Sequence, residues 1–184
     1  MIFISAGHNS KSKKVKQDPG AIGNGYKEGD LTIDFRDRVC KELDALKARY
    51  IKDSDEETLA MYLNRIRTGN GSVVIEYHFD AAESPAATGT TGLIEEESDR
   101  FDKAFAKEIT DTTAAVLGIR NRGVIDEAQS HRGRLGLMRE DGIICLAELA
   151  FISNKDDMDR YFGHRDLLAK RHAEIIVKYE NMIP

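Results

Sequence analysis

Short apolar runs rich in β-branched residues alternate along this chain with longer segments in which apolar residues recur at helical spacing. The run at 2–5 precedes a helical stripe from 31 to 46, and the run at 73–79 precedes another from 101 to 116. This alternation is typical of an α/β fold with a mostly parallel sheet, because parallel strands need crossover connections that are usually helical. We therefore expect one domain, residues 1–184.

The same patterns place the remaining elements. Further strands are predicted at 50–51, 93–94, 135–138 and 143–149, and further helices around 59–66 and 168–179. Asp30 and Ser98 are the predicted N-caps of the two stripes. Residues 119–134 show neither pattern and are predicted to be irregular.

The composition limits the partners and the compartment. With 27 Lys and Arg against 32 Asp and Glu, the net charge of −5 argues against nucleic acid and anionic membranes as partners. No apolar run approaches the roughly 20 residues of a membrane-spanning helix, and the first five residues are too short for a signal peptide. We expect a soluble protein made in the cytoplasm. Cys40 and Cys145 are interpreted as reduced core thiols.

Four side chains that could carry chemistry stand near the ends of predicted strands or before a helix. Ligand sites of open parallel sheets lie beyond the carboxyl ends of the strands. His8, His78 and Glu148 fall there, and Glu28 stands just before the first helix. Two imidazoles and a carboxylate are the usual ligands of a hydrolytic zinc ion, and a second carboxylate could act as general base. Taken singly, each residue also fits a structural or surface role.

The order of several motifs resembles one enzyme family. The motifs are Ile4–Asn9, Asp18–Gly23, Tyr26–Leu31, Lys52–Asp55, Tyr77–Ala82 and Leu146–Asn154. Together they resemble the zinc-dependent N-acetylmuramoyl-L-alanine amidases (amidase type 3), which are peptidoglycan amidases of bacterial autolysins and phage endolysins. The resemblance covers about residues 2 to 162.

The resemblance implies a site, a fold and a substrate. It implies one zinc ion per chain held by His8, Glu28 and His78, with Glu148 as the catalytic carboxylate. It also implies a twisted, mostly parallel six-stranded sheet flanked by helices, a phosphorylase/hydrolase-like fold. The expected reaction is hydrolysis of the amide between N-acetylmuramic acid and L-alanine, in which Glu148 moves the proton from water to the departing amine. We expect action on the cell wall after release, holin-type if phage-encoded, and no separate wall-binding domain.

The chain departs from the resemblance at a few positions beside the expected ligands. The family often has Asp-Pro directly before its first Gly-His, where this chain has Ser5 and Ala6. It often has Ser two residues before the second His and Asn two residues after, where this chain has Glu76 and Asp80. None of these changes removes an expected ligand.

Other polar residues allow two interpretations. Arginines between 120 and 139 could pair with carboxylates of a stem peptide or could be solvated surface residues. Among them Arg139 is the preferred substrate contact, because it follows a predicted strand beside the one that bears Glu148. His131 is expected at the surface and His172 in the core.

Other functions stay open beside the amidase. A zinc peptidase or carboxypeptidase acting on stem peptides could use the same ligands, and a non-catalytic wall-binding module could keep the same fold. The presence of all four expected site residues argues against the latter. A structural zinc protein is disfavoured because two cysteines cannot form a closed sulfur site.

Overall fold

The longest apolar runs pair as neighbouring strands in the middle of one sheet. The computed structural model describes residues 1–130 and 134–182. In chain order the strands are β1 (Ile2–Ala6), β2 (Ile22–Gly23), β3 (Tyr26–Lys27), β4 (Tyr50–Lys52), β5 (Val73–Asp80), β6 (Thr90–Ile94), β7 (Asn121–Asp126) and β8 (Ile143–Phe151). Six of them form a sheet in the order β4-β1-β5-β8-β6-β7, and β2 and β3 form a separate hairpin. Within the six-stranded sheet, only the β6–β8 pair is antiparallel among the described neighbours, so the predicted mostly parallel sheet is confirmed.

The helices connect the strands and cover the sheet unequally. They are α1 (Glu28–Ala45), α2 (Leu59–Arg65), α3 (Arg100–Leu117) and α4 (Lys155–Met182). α1, α3 and α4 pack on one face of the sheet and bury the main core with it. None of the helices in the described ranges combines the length and the apolar character needed to cross a membrane.

The opposite face is covered by apolar side chains only along the first half of its strands. There α2 and a 3₁₀ turn (Gly136–Arg139) pack on the sheet. The buried residues of this smaller cluster are Phe3, Tyr62, Ile66, Val74, Leu93, Leu137, Met138, Ile144 and Leu146. Side chains alternate between the two faces of a strand, so every second residue lies on this face. Nearer the carboxyl ends of β1, β5 and β8, the residues on this face are polar.

Two predicted helix caps are wrong, by three residues in α1, whose N-cap is Lys27, and by one residue in α3. α1 begins at Glu28, and the Asp30 carboxylate accepts a hydrogen bond from the Ser10 hydroxyl at 2.7 Å instead of capping the helix. The N-cap of α3 is Asp99, not Ser98, and its carboxylate accepts hydrogen bonds from two N–H groups of the first helical turn.

Two further elements differ from their sequence-based predictions. The predicted strand at 135–138 is the 3₁₀ turn, in which consecutive Leu137 and Met138 are both buried in the smaller cluster. Strand alternation would have separated these two side chains. The segment 119–134, predicted irregular, contains β7, a partly exposed edge strand whose polar sequence lacks the expected apolar pattern.

Two predictions about the core are confirmed. Cys40 and Cys145 are buried free thiols. His172 is fully buried, with Nε2 2.9 Å from Thr113 Oγ1 and Nδ1 3.4 Å from the Tyr77 hydroxyl. Since Thr113 already donates to a carbonyl of its own helix, it accepts from Nε2–H, and in the neutral imidazole Nδ1 accepts from the Tyr77 hydroxyl. Burial accordingly lowers the pKa of His172 to about 3.

We predict that His172 makes the domain less stable in mild acid. Unfolding returns its pKa from about 3 to its ordinary value of 6.5, so the unfolded chain binds one more proton between these values. The free energy of unfolding therefore falls by about 1.4 kcal/mol for each pH unit below about 6.5. Urea denaturation of wild type and His172→Gln in chelator-containing buffer measures this as a difference in slope.

The exposed His164 of the same helix provides the control, because His164→Gln removes an imidazole without touching the buried one. Equal pH slopes for wild type and His172→Gln would contradict the prediction.

Candidate metal centre

Polar side chains continue the half-covered face of the sheet beyond its apolar part. Ser5 on β1, Glu76 and His78 on β5, and Glu148 on β8 are all at least nine-tenths buried. The parallel registers pair Ser5 with Glu76 and His78 with Glu148. Side chains at paired positions point to the same face, so the four residues form one polar group.

The three residues predicted to bind metal converge at the His78 end of this group. His8, Glu28 and His78 each offer one ligand atom, and these atoms lie within 4.8 Å of one another. Glu28 lies between the two rings: its Oε2 is 3.2 Å from His8 Nε2, and its Oε1 is 2.9 Å from His78 Nδ1. The rings themselves meet edge to face with centroids 5.1 Å apart.

Glu28 is held in place by backbone groups from two different parts of the chain. Oε2 accepts a hydrogen bond from Ala21 N–H at 2.8 Å, and Oε1 accepts one from Phe79 N–H at 3.1 Å. Burial disfavours the charged form, but hydrogen bonds from His78 and His8 outweigh it and hold the pKa of Glu28 well below its usual range. The carboxylate is therefore ionised, and it lies at the N-terminus of α1, which favours negative charge.

His8 leaves the end of β1 with an unusual backbone conformation. Its φ of 69° is in the left-handed region, which costs a non-glycine residue of order 1 kcal/mol. Its Nδ1 is 2.9 Å from Asp18 Oδ2, while Nε2 faces Glu28. Burial lowers the pKa of His8, but the contacts with Glu28 and Asp18 more than compensate and raise it.

His78 lies between two carboxylates. Nδ1 faces Glu28, and Nε2 is 3.0 Å from Oε1 of Glu76. Burial opposes protonation, yet these two hydrogen bonds raise the pKa of His78 to about 10, with further contributions from the charges of Glu76 and Glu148.

Close approach of the backbone makes room for this ring. A Cβ at Gly7 would lie only 2.3 to 2.6 Å from three atoms of the His78 imidazole. Gly20 has a similar role on the other side, where a Cβ would lie 2.6 Å from both Glu28 and His8. Glycine at these two positions lets the loops pack directly on the ligand side chains.

Two clefts of about 230 Å³ each open along the polar face. One is bounded by His8, Glu76 and His78 at the β1 side of the sheet. The other is bounded by Glu148 and, from the β7 side, by Arg120 and Arg122. Since His78 and Glu148 are paired positions on adjacent strands, the clefts lie on either side of this pair.

Arg139 lines neither of these two clefts. Its guanidinium contacts the carboxylates of Glu95 and Glu127, and it lines a separate, largely acidic cavity of about 500 Å³. Its role as a substrate contact stays a prediction. His131 and Arg132 lie outside the described residues.

Two contacts of the histidines are not predicted from the sequence. The carboxylates of Asp18 and Glu76 each contact the outer nitrogen of one imidazole. For Glu76 the signal was available, because residues two apart on a strand share a face and His78 is two residues later.

Comparison with known proteins gives a consistent match over the chain. Residues 2–178 match the family model described as N-acetylmuramoyl-L-alanine amidase. N-acetylmuramoyl-L-alanine amidase LytC of Bacillus subtilis (strain 168) is 29% identical over 163 residues, covering 86% of this chain and 31% of that protein. Probable autolysin PH of Staphylococcus aureus is 26% identical over 202 residues, covering 95% of this chain and 38% of that protein. The chain thus spans well under half the length of these two relatives.

Solved structures share the fold at low sequence identity. An N-acetylmuramoyl-L-alanine amidase from Clostridium difficile 630 superposes with a TM-score of 0.78 at 18% identity, covering 98% of this chain and 96% of that one. The catalytic domain of the CD27L endolysin targeting Clostridia difficile gives a TM-score of 0.74 at 19% identity, covering 96% of both chains. The whole described domain is therefore one recurring fold.

We predict that Gly7→Ala displaces the His78 ring from Glu28. The added Cβ cannot fit 2.3 Å from the imidazole, and overpacking of this kind costs about 1–3 kcal/mol of unfolding free energy. Denaturation measures the loss, and the NMR signals of the His78 ring report its movement. Gly69→Ala is the matched control, since a Cβ there meets nothing within 4 Å. Unchanged His78 signals in Gly7→Ala would show that the ring is not so confined.

Proposed function

Because this chain belongs to the N-acetylmuramoyl-L-alanine amidase family, we propose that it is a zinc-dependent amidase of peptidoglycan. Its substrate would be the amide bond between N-acetylmuramic acid and the L-alanine of the stem peptide. The observation that carries this proposal is the convergence of His8, Glu28 and His78 beside the buried carboxyl group of Glu148. We also propose that residues 1–184 are one catalytic domain, acting at the cell wall, where this substrate is found.

The three converging side chains suit zinc in number and kind. Two imidazole nitrogens and one carboxylate are a common protein set for a catalytic zinc, which leaves a position for water or substrate. Glu28 is ionised, as a carboxylate ligand must be. The three ligand atoms of His8, Glu28 and His78 lie close enough together to bind one ion. When bound, zinc would polarise the scissile carbonyl and make water more acidic.

Glu148 is our candidate for the group that moves the proton. It is 1% exposed, next to His78 across the β5–β8 pair, and its cleft opens to solvent. It would accept a proton from the water that attacks the lactyl carbonyl. It would then give that proton to the amine nitrogen of L-alanine as the carbon–nitrogen bond breaks.

The two clefts suit a substrate that extends on both sides of the bond to be cut. One cleft would take the muramic acid side and the other the peptide side. Arg120 and Arg122 line the cleft beside Glu148, and guanidinium groups pair well with the carboxylates of a stem peptide. Arg139 would first have to release Glu95 and Glu127 to make such a contact.

A digestion of purified peptidoglycan tests the proposal. Mass spectrometry of the products should find intact stem peptides that begin with L-alanine, separated from glycan that keeps its muramic acid lactyl group. A zinc peptidase or carboxypeptidase would release shortened peptides instead, and a non-catalytic wall-binding module would release nothing.

We predict one zinc ion per chain, with activity lost on chelation and restored by added zinc. His8→Ala and His78→Ala should lower the metal content, because each removes one of three ligands. Elemental analysis of the purified variants measures this, with the exposed His164→Ala as control. Full lytic activity in protein verified as metal-free would contradict the assignment.

We predict that Glu148→Gln separates catalysis from metal binding. Glutamine keeps the size of the side chain but cannot accept the proton, so the rate should fall about 10²–10⁴-fold. Zinc content should be unchanged, because His8, Glu28 and His78 are intact. Rate and metal content are measured on the same preparation. Loss of zinc would recast Glu148 as a ligand, and an unchanged rate would remove it from the reaction.

A further inference from the structure

We propose that Glu76 is a positioning residue of the metal centre, which holds His78 so that its Nδ1 is the nitrogen presented to the ion. The inference rests on the proposed function, since it concerns how this chain orients one of the proposed zinc ligands. It assigns a role to a buried carboxylate that neither binds the ion nor touches substrate in the reaction described above.

The two nitrogens of His78 have different neighbours. Nδ1 is 2.9 Å from Glu28, toward the other ligands, and Nε2 is 3.0 Å from Glu76, away from them. A ligating imidazole is neutral, so its ligand nitrogen carries no proton and the other nitrogen must carry one. With Nε2–H donating to Glu76, Nδ1 is left free to bind the ion.

Glu76 is itself held by a second hydrogen bond. Its Oε2 accepts from the Ser5 hydroxyl at 2.9 Å, across the paired positions of β1 and β5. Ser5 is 1% exposed and Glu76 is 3% exposed, so water does not compete for either contact. The chain from Ser5 through Glu76 to His78 is therefore a fixed part of the sheet face.

His8 offers an internal comparison. Its outer nitrogen, Nδ1, is 2.9 Å from Asp18, close to the 3.0 Å between His78 and Glu76, but the Asp18 side chain is 64% exposed. Water can replace an exposed carboxylate as hydrogen-bond acceptor, whereas nothing replaces a buried one. Glu76 should therefore matter more to metal binding than Asp18.

Zinc affinity tests the role of Glu76 without relying on turnover. The dissociation constant is measured by competition with a chromophoric chelator for wild type, Glu76→Leu, Glu76→Gln and Asp18→Leu. Loss of such an outer hydrogen bond typically weakens metal binding about 10–100-fold, and we expect that for Glu76→Leu. Glu76→Gln keeps an acceptor oxygen and should retain most of the affinity. Asp18→Leu should lose less zinc affinity than Glu76→Leu.

The results separate the inference from the proposed function. Wild-type protein that binds no zinc would overturn the proposed function. Wild-type protein that binds zinc, with an unchanged constant in Glu76→Leu, would overturn only the role of Glu76. Thermal unfolding of the metal-free variants measures any general loss of stability. If such a loss were the cause, the zinc affinities of Glu76→Leu and Glu76→Gln would fall together, and the inference would fail.

A second measurement needs no variant. In zinc-loaded wild-type protein labelled with ¹⁵N-histidine, NMR of the His78 ring should show a protonated Nε2 and an unprotonated Nδ1. The reverse arrangement, with the proton on Nδ1, would overturn the inference even if every variant folded poorly.

Discussion

The site depends on the Glu28 carboxylate, which contacts three separate segments of the chain. Glu28 accepts hydrogen bonds from the loop before the β2–β3 hairpin and from β5, and it contacts both His8 and His78. A buried carboxylate is costly unless every lone pair has a partner. Here that requirement draws the end of β1, the end of β5 and the start of α1 to one point.

The unequal covering of the sheet explains where this point lies. Three helices pack on one face and bury the main core there, whereas α2 and the 3₁₀ turn bury only the first half of the other. The remaining half of that face presents Glu76, His78 and Glu148 to two clefts. A parallel sheet thus provides both a rigid base and an open polar surface, and its register decides which side chains are neighbours.

Much of this could be predicted from the sequence, and the errors have physical causes. Long apolar runs such as β5 and β8 were recognised because they are buried on both faces. The sequence pattern does not predict the edge strand β7, because that strand is polar. It predicts a strand at 135–138, where the 3₁₀ turn lies, because the residues there are apolar. His8, Glu28 and His78 were identified as a set through motif order.

By itself, the sequence determined the fold class, the family and the identity of the converging residues, because these follow from residue type and order. Only the tertiary structure decided their relations: that Glu28 lies between the two imidazoles, that Ser5 faces Glu76, and that Arg139 belongs to a different cavity. The reason is that local periodicity specifies which face a side chain is on, whereas strand register and chain crossovers specify which distant residues share that face.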